Sequence, residues 1–273
     1  MLYIVATPIG NLEDMTFRAV RVLRESSLIA CEDTRQTRKL LDHYGITTPM
    51  VSYHDHNEAA RTSEILNRLR NGETVALVTD AGTPLVSDPG FLLVHEARKA
   101  GLAVTPIPGA SAALTALAAS GLPTDDGFRF CGFLPPKKNQ RIETLRTLDR
   151  ETATLIFYES PHRILDTLDD LAETMPTRPV VLARELTKLH EEFLSGTARE
   201  IHTLLAARDS IRGEITLLVG KGDAEAAVAD ERPIEEAVRE LERAGLSRMD
   251  AIKQVARDRG LPKREVYKQL SGG

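Results

Sequence analysis

Short apolar runs alternate with helical patterns through the first 120 residues. Each run has the length of a strand, and most runs lead through a turn into apolar residues at helical spacing, such as Phe17, Val20 and Leu23. The runs occupy residues 2–6, 28–31, 50–53, 75–78 and 103–107. Alternation of strand and helix is typical of an α/β domain with a parallel sheet. We therefore predict an N-terminal α/β domain over residues 1–120.

The stretch from residue 75 to residue 90, VALVTDAGTPLVSDPG, contains the most informative of these turns. Its apolar run predicts a strand buried on both faces, and Gly82 and Pro84 then force the backbone out of the sheet. Asp88 is predicted as the N-cap of the following helix, with Pro89 at its first position. Open α/β folds bind ligands where such strands end, so this turn is a candidate ligand-binding loop. The sequence has neither GxGxxG nor a P-loop here.

Four other turns follow predicted strands of the same sheet and are expected at the same edge. They are TPIGN, EDTR, HDHNE and PGASA. In HDHNE, His54 and His56 share a strand face, but no third ligand is placed, so we expect no metal site there. In PGASA the small side chains allow a ligand to approach the backbone, and Ser111 can cap the helix or bind the ligand.

The second half of the chain predicts a different sheet and a helical tail. Strand patterns at 128–133, 154–158, 179–183, 193–197 and 213–220 have fewer helices between them, which favours a mixed-sheet α/β domain over 121–222. Residues 223–230 are predicted as a linker, and 231–273 as a small C-terminal helical tail. Between Arg248 and Lys268 the tail has seven cations and three acidic residues. This pattern resembles a helix-turn-helix nucleic-acid module, and a solvated packing helix explains the charge equally well.

Composition limits the classes of function. The net charge of −5 gives no overall basic field, so any nucleic-acid surface must be local. The two cysteines have no metal-ligand spacing and predict reduced thiols. Because no charged leader precedes the first strand and no apolar segment approaches membrane-spanning length, we expect a cytoplasmic protein without a membrane partner.

Eight sequence blocks, taken together, resemble the ribosomal RNA methyltransferases of the tetrapyrrole methylase superfamily. In chain order they are LYIVATPIGN, IACEDTR, DAGTPLVSDPG, PIPGASA, GLP, FYESPHR, ARELTK and GEITLLV. The resemblance implies a two-domain tetrapyrrole methylase-like fold that binds S-adenosylmethionine between its domains and forms a homodimer. It also implies methylation of a cytidine ribose 2′-hydroxyl in the decoding region of small-subunit (16S) rRNA, with rRNA or the 30S ribosomal subunit as partner.

The resemblance also directs attention to particular residues. For the cofactor it implies Pro8, Ile9, Gly10, Asp80, Ala81, Gly82, Thr83, Val86, Ser111, Ala112, Tyr158, Leu186 and Gly213. The candidate proton acceptors are Glu32, Asp33, Asp55, Glu159, His162 and Lys188, of which Glu159 and His162 are favoured because FYESPHR follows a strand of the second domain. The candidate RNA contacts are Arg35, Lys137, Lys138, Arg163 and Lys188.

Two other functions stay open at this point. One is a methylase of the same superfamily that acts on a small tetrapyrrole, against which the basic tail and the EDTR and ESPHR blocks argue. The other is a non-catalytic rRNA-binding or assembly protein that retains the cofactor cleft.

Overall fold

The computed structural model describes residues 1–221, 233–243, 246–258 and 261–270. The chain divides into two units, Met1–Gly222 and Asp223–Gly273. The predicted linker at 223–230 lies outside the described residues. Apolar spacing in the tail also predicts helices over 233–244 and 248–259, whose last residues, Ala244 and Arg259, lie outside the described residues as well.

The first sheet is parallel, as predicted. Its five strands are β1 (Leu2–Val5), β2 (Leu28–Cys31), β3 (Met50–Ser52), β4 (Val75–Leu77) and β5 (Val104–Ile107). They lie in the order β3-β2-β4-β1-β5, and every neighbouring pair is parallel. Because parallel strands point the same way, the turns after them meet at one edge of the sheet, the carboxyl edge.

The helices of the first sheet are α1 (Phe17–Glu25), α2 (Thr34–His43), α3 (Glu58–Arg70), α4 (Phe91–Lys99) and α5 (Ala112–Ser120). The sheet separates two apolar cores. Strand β2 shows why, since Ile29 and Cys31 face the core with α1 and α2, whereas Leu28 and Ala30 face the core with α3 and α4.

The second sheet is mixed, also as predicted. Its strands are β6 (Phe128–Phe133), β7 (Thr154–Glu159), β8 (Val180–Arg184), β9 (Glu192–Gly196) and β10 (Ile215–Val219). The order is β6-β7-β10-β8-β9, with β6 and β7 parallel and the remaining pairs antiparallel. Helices α6 (Lys138–Leu148), α7 (Ile164–Thr174) and α8 (Ala198–Ala206) contribute side chains to one core against this sheet.

Helix α5 joins the two sheets. It follows the last strand of the first sheet, but its Ala113 and Ala116 pack in a core with Ile156, Val181 and Leu218 of the second sheet. Both sheets therefore lie within the single unit Met1–Gly222, and the division at residue 120 into two domains stays a prediction.

The described residues of the second unit form three short helices, α9 (Ile234–Arg243), α10 (Arg248–Asp258) and α11 (Lys263–Leu270). Val238, Ile252 and Val266 pack in a core of their own. Ser247 caps α10, because its Oγ accepts the Asp250 N–H at 3.2 Å. Among the helices that the structure describes, none combines the length and the apolarity of a membrane span.

Candidate active site

A cavity of about 350 Å³, here called the cleft, opens where the carboxyl edge of the first sheet meets strands β7 and β10 of the second. Many of the residues proposed for cofactor binding lie in its wall. They are Ile9, Ala81, Gly82, Thr83, Val86, Ser111, Ala112, Tyr158 and Gly213. Three of the five turns that sequence analysis placed at one edge, TPIGN, DAGTP and PGASA, thus converge with strands of the second sheet on one cavity, whereas EDTR and HDHNE do not line it.

Hydrogen bonds hold three of the turns in register. The Thr7 N–H donates to Gly82 O at 2.9 Å, and the Gly82 N–H donates back to Thr7 O at 3.0 Å. The Thr83 hydroxyl donates to Ala110 O at 3.0 Å. Gly82 has φ +84° and is buried, a backbone conformation that favours glycine. This wall of the cleft is therefore held rigidly by backbone contacts.

Aromatic side chains form part of the opposite wall. Tyr158 of β7 and Phe133 of β6 both line the cleft, and their ring centroids lie 5.8 Å apart. Phe130 also packs edge-on against Tyr158, with 4.9 Å between the ring centroids. Burial raises the pKa of the Tyr158 phenol, so Tyr158 is a neutral hydrogen-bond donor at neutral pH.

Four residues proposed for the cofactor do not line the cleft. Pro8 and Leu186 are buried, Leu186 in the same core as Ile9. Gly10 instead allows the Lys188 side chain to approach its backbone closely, since an added Cβ would lie 2.5 Å from Lys188 Cγ. The Asp80 carboxylate accepts the Asp33 N–H at 3.1 Å and so fastens the EDTR turn.

The two favoured proton acceptors have different surroundings. Glu159 lines the cleft but is only 3% exposed, and it accepts the Ser160 N–H and the Thr167 hydroxyl, each at 2.8 Å. Arg163 Nη2 lies 3.4 Å from the same carboxylate. These contacts give Glu159 a structural role. His162 is exposed and is not part of the cleft wall.

The proposed RNA contacts also differ in the hydrogen bonds and salt bridges that they form within the protein. Arg35 is exposed and pairs with Asp33 at 2.9 Å. Lys188 Nζ binds both Glu185, at 2.8 Å, and Glu214, at 3.0 Å. Arg163 donates to Leu134 O at 2.7 Å and to Pro135 O at 3.3 Å. Arg163 therefore holds the segment that leads into α6.

Lys137 and Lys138 lie at the start of α6 and are both exposed. Lys138 Nζ is 3.6 Å from Asp170, whose carboxylate is bound more closely by Arg141, at 2.6 Å. Both lysines follow shortly after Phe133 in the sequence, and Phe133 is part of the cleft wall. The segment that leaves the cleft wall therefore carries two positive charges.

Several cleft residues were missed by sequence analysis. They are Ser87, Asp88, Phe133, Ser160, Pro161, Glu214, Ile215 and Thr216. Phe133 ends strand β6 and Ser160 follows strand β7. Both could therefore have been found from the expectation that ligand sites lie at strand ends. Asp88 was assigned as a helix cap, which is wrong because Gly90 occupies the N-cap position of α4. Within the described part of the chain, no three His, Cys, Asp or Glu residues are arranged to hold a metal ion.

The chain is similar to known methylases in sequence and in fold. A family model described as Tetrapyrrole (Corrin/Porphyrin) Methylases matches residues 1–202. Ribosomal RNA small subunit methyltransferase I of Halalkalibacterium halodurans is 52% identical over 97% of this chain and 93% of its own length. The protein of the same name from Synechocystis sp. is 47% identical over 99% and 97%.

Among solved structures, uroporphyrin-III C-methyltransferase from Thermus thermophilus, complexed with S-adenyl homocysteine, has a TM-score of 0.55 at 20% identity. That match covers 82% of this chain and 98% of the other, and it shows the shared fold. From the family match and the two relatives, the chain belongs to the tetrapyrrole methylases and, within them, to the ribosomal RNA small subunit methyltransferase I family.

Proposed function

We propose that the chain is an S-adenosylmethionine-dependent methyltransferase that methylates the ribose 2′-hydroxyl of a cytidine in the decoding region of small-subunit rRNA. Its relatives over nearly the full length carry the name ribosomal RNA small subunit methyltransferase I, which supports rRNA as the substrate. The cytidine and its 2′-hydroxyl are the finer part of the proposal and rest on the sequence resemblance. The observation that carries the proposal is that five of the eight sequence blocks, LYIVATPIGN, DAGTPLVSDPG, PIPGASA, FYESPHR and GEITLLV, contribute residues to one cleft.

The residues of the cleft fit S-adenosylmethionine. The volume is within the range of small-molecule sites, about 300–1,000 Å³. Ile9, Val86, Ala112 and Ile215 give the wall apolar surface for a nucleoside and an aliphatic chain. Asp88 supplies negative charge that favours a sulfonium, whereas Glu159 and Glu214 are paired with Arg163 and Lys188.

When bound, the cofactor supplies an electrophilic methyl group, which leaves its electron pair on sulfur as a new bond forms to the 2′ oxygen. The protein's part is to hold the acceptor oxygen in line and to exclude water. The hydrogen-bonded loops around Gly82 and Thr83 form a rigid wall of the cleft, which favours a fixed position of the bound molecules. Tyr158 and Phe133 form part of the opposite wall. The neutral Tyr158 phenol can donate a hydrogen bond without adding charge.

The RNA surface of this proposal includes Lys137 and Lys138, which are exposed at the start of α6. Arg35 is exposed as well, but it forms a salt bridge with Asp33. Arg163 and Lys188 are engaged by carbonyl and carboxylate oxygens, which favours a positioning role for both. The homodimer and the cytoplasmic location stay predictions, the first measurable by sedimentation equilibrium.

The test is transfer of tritiated methyl groups to small ribosomal subunits from a strain that lacks the gene, with naked rRNA in a parallel reaction. We expect label in the rRNA, recovered after digestion as 2′-O-methylcytidine. Label on a base or on another nucleoside would contradict the finer proposal. Methylation of a tetrapyrrole instead, or tight subunit binding without any transfer, would favour the two alternative functions.

A further inference from the structure

The EDTR turn follows β2, and none of its residues lines the cleft. Contacts within the first sheet hold it in place. The Asp33 N–H donates to Asp80 Oδ1 at 3.1 Å, and Arg35 pairs with Asp33 at 2.9 Å. Strand β2 lies beside β4, whose turn forms part of the cleft wall. The first residue of the turn, Glu32, is therefore fixed at the strand end next to the cleft.

Glu32 presents a carboxylate that the protein uses only in part. The Thr79 hydroxyl donates to Glu32 Oε2 at 3.1 Å. Among the residues that the structure describes, no hydrogen bond reaches Glu32 Oε1 and no cation pairs with the carboxylate. The side chain is only partly buried. Thr79 thus anchors one carboxylate oxygen, and the other remains available as an acceptor.

Thr79 links Glu32 to the cleft. Its hydroxyl also interacts with Asp88, which lines the cleft, and Thr79 itself is only 3% exposed. Burial raises the pKa of Asp88 to about 6, and the nearby charge of Glu32 contributes to that rise. Glu32 therefore lies one hydroxyl group away from the cleft wall, although it does not line the cavity that fits the cofactor.

Two other turns at the carboxyl edge are tied to the second sheet. In TPIGN, the Asn11 N–H donates to Thr187 Oγ1 at 3.1 Å, and PGASA leads into α5, which packs on the second sheet. The hydrogen bonds of EDTR to other described residues go to the first sheet instead. A nucleotide that enters the cleft from the β2 side would therefore meet Glu32 without displacing a contact between the sheets.

On the proposed function, we infer that Glu32 accepts a hydrogen bond from the exocyclic amine of the base whose ribose is methylated. The base and the 2′-hydroxyl belong to one nucleotide, so a hydroxyl held at the cofactor brings its base beside the neighbouring strand end. Cytosine presents its N4 amine as a donor, and glutamate and aspartate accept from it in nucleic-acid complexes. Uracil has the carbonyl oxygen O4 at the same position, which a carboxylate repels. Glu32 is thus a specificity-determining residue that selects cytidine over uridine.

A role of Glu32 as a proton acceptor would give a different result. Loss of a proton acceptor slows the methylation of cytidine and uridine by the same factor, because the 2′-hydroxyl is common to both. Loss of a contact to the amine slows the methylation of cytidine alone. The ratio of the two rates therefore separates the two roles, and equal losses on both nucleosides would overturn the inference.

The test compares small subunits with cytidine and with uridine at the methylated position, both from a strain that lacks the gene. The quantity measured is kcat/KM for methyl transfer. We expect wild type to favour cytidine by about 10- to 100-fold, and Glu32→Ala to lose most of this preference through slower transfer to cytidine. Cofactor affinity by calorimetry should stay near the wild-type value, because Glu32 does not line the cleft. The matched control is Glu25→Ala, which removes an exposed glutamate at the end of α1 and should keep the wild-type preference.

Glu32→Gln gives a second comparison, because the Thr79 hydroxyl distinguishes the two ends of an amide. The amide oxygen takes the place of Oε2 as the acceptor from Thr79, which leaves the NH₂ group towards the base. This variant should therefore favour uridine more than Glu32→Ala does, and it replaces Glu32→Ala if the latter does not fold. A wild type without preference for cytidine would overturn the inference, as would a wild-type ratio in both variants. Failure of wild type to label rRNA would instead reject the proposed function.

Discussion

Two features of the site favour glycine at position 82. The backbone there has a positive φ, and the cavity wall leaves no room for a larger side chain. The φ of Gly82 is +84°, and an added Cβ would lie 3.4 Å from Ile9 Cγ2, inside the cleft. We predict that Gly82→Leu abolishes binding of S-adenosylmethionine, because the side chain strains the turn and fills the cavity. Isothermal titration calorimetry measures this directly.

The control for Gly82→Leu is Gly101→Leu. Gly101 has a similar φ of +70°, but an added Cβ there meets nothing within 4 Å. It therefore carries the backbone penalty without obstructing a site. We expect Gly101→Leu to lose some stability and to keep its cofactor affinity. Wild-type affinity in Gly82→Leu would show that the cofactor does not bind in this cleft.

Glu159 is predicted to stabilise the fold. The Glu159 carboxylate accepts hydrogen bonds from the Ser160 N–H and the Thr167 hydroxyl. A glutamine amide would turn its NH₂ group towards one of these two donors, and that hydrogen bond would be lost. Glu159→Gln should therefore lower the free energy of unfolding by about 1–3 kcal/mol. Urea denaturation measures the change, with the exposed Asp166→Asn on α7 as control. A variant of unchanged stability that no longer transfers methyl groups would instead return Glu159 to the list of bases.

Sequence analysis could locate the cleft loops at the residue scale because glycine, proline and small residues mark strand ends. It could not place Asp88 in the cleft wall, since the local pattern Ser-Asp-Pro-Gly fits a helix cap equally well. Gly90 is the N-cap of α4 instead, with φ +131° and with no room for a Cβ, which would lie 2.7 Å from Leu77 Cδ2. Local pattern could not show either that Gly10 lies outside the cleft wall and close to Lys188, because Lys188 is far away in the sequence.

At the scale of elements, the segment before α6 is built to hold its two lysines in place. Arg163 binds the carbonyls of Leu134 and Pro135, and Arg141 binds that of Pro136 at 3.3 Å. Lys137→Ala/Lys138→Ala should therefore weaken rRNA binding and reduce the slope of log K against log salt by about 0.7 for each lost phosphate contact on a single strand. Binding at several salt concentrations measures the slope.

The matched control removes two cations from the other edge of the first sheet. Arg70 and Lys99 end helices α3 and α4, which lead into the starts of strands, so Arg70→Ala/Lys99→Ala should leave the salt slope unchanged. An unchanged slope in the Lys137 and Lys138 variant as well would exclude both lysines from the RNA surface.

Strand and helix positions were predicted well from the sequence because apolar spacing is local. The order β3-β2-β4-β1-β5 was not predicted, since it depends on which strands pair across the whole sheet. The mixed character of the second sheet was predicted from the scarcity of helices between its strands. Its central strand, β10, is the last of the five in the chain, which local spacing cannot reveal.

At the scale of the whole molecule, helix α5 explains why the cleft exists. The chain leaves the first sheet at β5, and Ser111 and Ala112 line the cleft before the alanine-rich helix packs on the second sheet. Small side chains at Ala113 and Ala116 allow that helix to approach Ile156 and Leu218 closely. The predicted border at residue 120 falls at the end of this helix, but the core that joins the two sheets crosses that border.

The second unit supports a last prediction, because its charge and its core are separate. On α11, Val266 is buried in the core of the unit, whereas Lys263 and Lys268 are exposed. Lys263→Glu/Lys268→Glu should therefore leave the helices folded and weaken binding to small-subunit rRNA, since two phosphate-attracting charges become repulsive.

Cofactor affinity should not change in this variant, because every residue of the cleft wall lies between Ile9 and Thr216 in the first unit. Measuring both affinities on the full-length chain, with Arg70→Glu/Lys99→Glu as the control of equal charge change, separates the two functions. Unaltered rRNA binding would mean that the basic face of the tail is a solvated packing surface. In that case the cations of the first unit must account for RNA recognition.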